Sequence, residues 1–84
     1  MPYQISIKKR VLKALEKIDE PYYSSIKTAI YALADNPRPF GYLKLKGKKG
    51  YRIRVSDYRI IYDIYDSILI VDVVELGDRK DIYD

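Results

Sequence analysis

The sequence predicts an α+β fold in which a helical hairpin packs on one face of a mainly antiparallel sheet, in the order β-α-α-β-β-β. Three observations carry this: apolar residues alternate at the amino end, recur at helical spacing from about residue 8 to residue 33, and alternate again after Pro39. Eighty-four residues leave room for one small core, so a single domain spanning 1–84 is expected.

Tyr3, Ile5 and Ile7 alternate with Gln4 and Ser6, the pattern of a half-buried strand. Over residues 8–18, Val11, Leu12, Leu15 and Ile18 form an apolar stripe with Lys and Glu on the other side. Asp19 and Glu20 precede Pro21, which suits the first turn of a second helix because the missing N–H has no partner there. Its buried stripe is Tyr22, Ile26, Ala29, Ile30 and Leu33, and two prolines in residues 35–39 stop it. Residues 42–45 start a strand, and residues 47–50 form a Gly/Lys loop. In residues 51–55 the alternation directs Tyr51, Ile53 and Val55 inward and Arg52 and Arg54 outward. Ser56 and Asp57 turn the chain. In residues 58–65, Tyr58, Ile60, Tyr62 and Ile64 share one face, and Arg59, Ile61, Asp63 and Tyr65 the other. Arg59 therefore shares a face with Arg52 and Arg54. After a turn at Asp66 and Ser67, residues 68–76 read as a central strand covered on both sides, ended by Gly77 and followed by a short polar tail. Tyr22, Tyr31, Tyr58 and Tyr62 are expected in the core or at its rim.

With no Cys, His or Trp, the chain has no thiolate or imidazole metal ligand, no disulfide and no histidine for acid–base chemistry. Ten of its eleven aromatic residues are Tyr, giving polar-tipped rings that pack, stack or donate a proton. No apolar run approaches the roughly 20 residues that span a bilayer, so a cytoplasmic protein without a membrane partner is expected. The net charge of +4 is uninformative, but its distribution is not. Residues 38–59 carry eight cations against Asp57 alone, a net of +7, while the other 62 residues net −3. Local cation density displaces counterions from phosphates, so a nucleic-acid partner is expected, with Lys44, Lys46, Lys48 and Lys49 as candidate backbone contacts.

Two segments, in order behind a helical hairpin, resemble the RelE/ParE superfamily of toxin–antitoxin toxins, and its RelE branch in particular. One is Gly50-Tyr51-Arg52-Ile53-Arg54-Val55-Ser56-Asp57-Tyr58-Arg59-Ile60-Ile61-Tyr62, similar to the family's basic strand, turn and following strand. The other is Leu76-Gly77-Asp78-Arg79-Lys80-Asp81-Ile82-Tyr83, similar to its terminal element. The resemblance implies a RelE-like fold and a ribosome-dependent messenger-RNA endonuclease that cuts the A-site codon and leaves a 2′,3′-cyclic phosphate. It also implies a RelB-like antitoxin as cognate partner, and contact with operator DNA only through the antitoxin complex. RNA supplies its own nucleophile, the 2′-hydroxyl, so neither metal nor cofactor is expected.

Matched to the family pattern, Arg59 and Arg79 would hold the scissile phosphate, and Tyr83 would contact the 2′-hydroxyl, stack on a base or take the proton. Arg52 and Arg54 occupy positions that are often lysine in the family. Arginine is a poor proton donor, which leaves charge stabilisation as their role and the general acid open. A ParE-like inhibitor of DNA gyrase, which cleaves nothing, is the alternative on the same fold.

Overall fold

Apolar side chains at helical spacing wind two helices, and alternating ones extend the rest of the chain into strands. The computed structural model describes residues 2–78. Its elements are β1 (Gln4–Ile7), α1 (Lys9–Glu16), α2 (Tyr22–Ala32), β2 (Leu43–Lys44), β3 (Tyr51–Val55), β4 (Tyr58–Tyr65) and β5 (Ile70–Asp78). The sheet order is β1-β5-β4-β3-β2, with β1 parallel to β5 and the other pairs antiparallel. This is the expected α+β arrangement, with the strand start anticipated at residues 42–45 reduced to two residues.

The helices cover one face of the sheet. Val11 and Leu15 of α1 and Ile26, Ile30 and Leu33 of the α2 region close on Ile53, Ile60, Tyr62, Val71 and Val73. Glu20 caps α2 by accepting from the Ser24 backbone N–H (3.1 Å) and hydroxyl (2.7 Å), bonds that lower the Glu20 pKa. Tyr22 sits at the rim, its ring centroid 5.8 Å from that of Tyr58, whereas Tyr31 departs from expectation at 53% exposed. Tyr31 follows Ile30, and one helical step of about 100° turns it away from the sheet. Tyr62 lies fully inside and donates to the Pro37 carbonyl at 2.7 Å, while burial pushes its pKa up, so it stays a phenol. Tyr62→Phe is expected to cost about 1 kcal/mol, read from denaturant melts, because it deprives the Pro37 carbonyl of its donor. The Arg38 guanidinium grips Asp66 (2.9 and 3.3 Å), and Tyr3 donates to the same carboxylate, tying the loop after α2 to the β4–β5 turn. Arg38 foremost, then Tyr3, holds the Asp66 pKa below its usual value.

The last described strand departs from expectation at both of its ends. The turn takes residues 66–69, with Leu69 at φ 55° and Ile68 63% exposed, so β5 begins at Ile70. Such a turn needs one residue in the left-handed region, and Leu69 fills that role. The covered central strand is as expected, with Val71 and Val73 fully buried, the Asp72 side chain between them only 14% exposed, and β1 and β4 on either side. Gly77 does not end the strand, because it pairs with Arg59 and the ladder continues to Asp78.

β5 also carries a bulge. Ile61 pairs with Glu75 but Tyr62 pairs with Val73, leaving Val74 as the extra residue. Its carbonyl accepts from Arg10 Nε of α1 at 2.7 Å. The inserted residue reverses the parity of everything after it. Val71 and Val73 face the helices, whereas Glu75 and Gly77 face away from them.

Candidate functional site

The face away from the helices is organised in rows by strand register. Arg54 of β3 lies directly opposite Arg59 of β4, and Arg59 directly opposite Gly77 of β5. Neighbouring strands are about 5 Å apart, so two arginine side chains leave the same face from adjacent positions, beside one without a side chain. Arg54 is exposed and Arg59 half-buried. Like charges placed directly opposite each other oppose pairing. An anion spanning both reverses that effect, because guanidinium forks match phosphate oxygens.

The next row is Leu43, Arg52, Ile61 and Glu75. Arg52 keeps the expected outward parity, on the face away from the helices, but it is only 6% exposed. Its row flanks it with Leu43 on one side and Ile61, itself 4% exposed, on the other. The centre of this face is therefore closed, and toward one end Arg54 is exposed while Arg59 is partly covered, with its Nε buried. Glu75 is the diagonal neighbour of Arg59 in the ladder, at about 7–8 Å between Cα atoms. Sequence parity hid Glu75, because without the bulge it would share the face of Val71 and Val73. A carboxylate beside a guanidinium can orient it or accept a proton.

Further along the same face, Asp63 lies opposite Asp72, which is bridged by Lys8 at 3.2 Å. Four strand residues separate Asp63 from Arg59, about 13 Å, more than the Debye length of about 8 Å at physiological salt. Asp63 and Asp72 are thus screened from the arginine end.

The lysines disperse. Lys44 pairs with Tyr51 in the register and its ammonium lies 5.1 Å from that ring's centroid, so it is not brought to the arginine face. Lys46 and Lys48 project from a loop closed by the Leu45 N–H bonding to the Gly50 carbonyl at 3.0 Å, with Gly47 at φ 72°. Lys49 donates to the Tyr65 hydroxyl at 2.9 Å and lies 4.6 Å from its ring centroid, and that bond raises the Lys49 pKa. Tyr65 is about 20 Å along β4 from Arg59, so Lys49 belongs to the opposite end of the face. Arg79 and Tyr83 lie outside the described residues.

The site can hold one phosphate between two adjacent strands and stabilise added negative charge on it. That arrangement suits in-line attack at a phosphodiester that carries its own nucleophile. The sequence profile of the family described as ParE toxin of type II toxin–antitoxin system, parDE, matches residues 5–83. The chain belongs to this toxin family. A provisionally named RelE-like toxin protein of Escherichia coli is 31% identical over 99% of this chain and 92% of its own length. In the crystal structure of the archaeal RelE–RelB complex from Pyrococcus horikoshii OT3, one chain superposes with a TM-score of 0.83 at 30% identity, covering 94% of this chain and 97% of that one. The intact E. coli RelBE toxin–antitoxin complex contains a chain with a TM-score of 0.77 at 25% identity, covering 90% and 95%. Toxins with RelE names thus share the whole described fold.

Proposed function

We propose that this toxin cuts messenger RNA in the ribosomal A site by attack of the 2′-hydroxyl on the adjacent phosphate, leaving a 2′,3′-cyclic end and stopping translation. The observation that carries this reading is the direct cross-strand opposition of Arg54 and Arg59. In it, both guanidinium groups take the non-bridging oxygens of the scissile phosphate, and charge gained in the phosphorane strengthens those bonds more than ground-state binding does. Arg52, one row deeper, adds positive potential from a low-dielectric position. Glu75 is the acidic neighbour of Arg59 on the same face, placed to accept a proton or a hydrogen bond there. By family resemblance, Arg79 adds a further phosphate contact and Tyr83 meets the 2′-hydroxyl.

A RelB-like antitoxin holds the toxin inactive in this proposal, and any contact with operator DNA runs through that complex. The solved RelE–RelB relatives support the choice of partner. The second reading, inhibition of DNA gyrase, draws on the ParE name of the matching family profile. Adding purified toxin to programmed ribosomes and to a supercoiling reaction separates the two. Cleaved message with normal supercoiling supports the endonuclease, and intact message with blocked supercoiling supports the gyrase inhibitor.

Lys46, Lys48 and Lys49 then serve as ribosomal contacts. Changing all three to Ala is expected to weaken ribosome association and to lower the slope of log affinity against log salt by about 0.7–0.9 for each phosphate no longer neutralised. Because Lys49 is already engaged by Tyr65, most of that change should follow Lys46 and Lys48. The chemical step on saturated complexes should stay unchanged.

A further inference from the structure

Helix α1 breaks the electrostatic rule for its own start. Lys8 at the N-cap and Lys9 and Arg10 in the first turn are cations, the first turn has no acidic residue, and the N-terminal end of the helix dipole disfavours positive charge. The fold accounts for two of these. Lys8 bridges Asp72 and Arg10 donates to the bulge carbonyl of Val74. Lys9 has no such task, and it begins a row. Lys9, Lys13 and Lys17 are spaced four residues apart and all exposed, and Lys17, at the C-cap, keeps helical geometry. The row runs half a turn away from buried Val11 and Leu15. None of the three makes an ion pair among the described residues. Like charges four apart on a helix repel; Lys13 in the last turn and Lys17 at the C-cap gain from the helix dipole, whereas Lys9 at the start does not, and the whole row is left to solvent.

We infer that Lys9, Lys13 and Lys17 form a second anion-binding surface, which docks along the phosphate backbone of an RNA duplex. The backbone positions of successive lysines rise about 6 Å along the helix, a step within reach of neighbouring phosphates of one strand. Three collinear charges over about 12 Å suit the fixed backbone of a duplex better than a flexible single strand. The surface lies on the helical layer, across the sheet from Arg54 and Arg59. The toxin therefore grips structured RNA on one side while the other side takes the strand to be cut. The choice of RNA as the polyanion rests on the proposed function, but the test involves no cleavage, so either claim can fail alone.

The probe is a fluorescent 16-base-pair RNA duplex of arbitrary sequence, titrated with full-length toxin at several salt concentrations. In the Lys9→Gln/Lys13→Gln/Lys17→Gln variant, affinity at low salt should fall roughly 10- to 100-fold and the salt slope by about 2–3. The triple Arg variant should restore both. Hydrogen exchange of the wild-type protein gives a second measurement that needs no variant, with amides of residues 9–17 slowing when duplex is added. An unchanged salt slope with no protection of α1 would overturn the inference. So would tighter binding to phosphatidylserine vesicles than to duplex, lost in the Gln variant, which would assign the row to a membrane surface.

Discussion

Replacing Arg59 with Ala is expected to slow single-turnover cleavage of ribosome-bound message by roughly 10²-fold or more, the scale of losing one oxyanion donor. Its neighbours Tyr58 and Ile60 pack toward the helices, so Arg59 projects with Arg54 and Gly77 on the other face. Removing its guanidinium leaves Arg54 as the remaining cation of that row, among the described residues, to meet charge developing in the phosphorane. Arg59→Lys should recover only part of the rate, because an ammonium supplies charge without the planar fork. Ribosome affinity should change little in either variant if the contact strengthens mainly in the transition state. Wild-type turnover in Arg59→Ala would remove this residue from the chemistry.

The second large effect falls on stability. Ile60 is fully buried on the central part of the sheet, and Ile60→Ala should cost about 2–5 kcal/mol through lost transfer energy and the void left behind. Against a total of about 5–15 kcal/mol for an ordinary domain, that destabilisation should lower the melting temperature by roughly 10 °C or more. Cleavage by the fraction still folded should stay within a few-fold of wild type, since Ile60 faces the helices and not the arginine row. A stability change below 1 kcal/mol would show that the helical layer closes over the gap. The two adjacent residues thus make opposite demands, one on chemistry and one on folding.

This separation was legible in the sequence because period-two alternation in residues 51–55 and 58–65 survives unbroken in β3 and β4. The helical stripe was legible for the same reason at Val11, Leu15, Ile26 and Ile30, which all reach the core. Alternation cannot register an inserted residue, so the bulge at Val74 and the placement of Glu75 on the face of Arg59 were hidden. Nor does it report what covers a face: Arg52 follows the outward parity, in the row of Leu43 and Ile61, yet is buried. Charge counted along the chain had the converse weakness. Residues outside 38–59 net −3, and that sum concealed Lys9, Lys13 and Lys17, which helical geometry gathers onto one line. Leu69 in the left-handed region carried no signal at all, since nothing in a Leu marks it as a turn residue.

The claim that Arg54 and Arg59 act on one phosphodiester is tested most directly by a double-mutant cycle on single-turnover cleavage, using Arg54→Ala, Arg59→Ala and the pair. Shared action predicts that the double variant is slowed by less than the product of the single effects, a coupling of roughly 0.5–3 kcal/mol. Single effects that multiply, to within about 0.5 kcal/mol, would mean that the two arginines serve separate groups and would contradict the account.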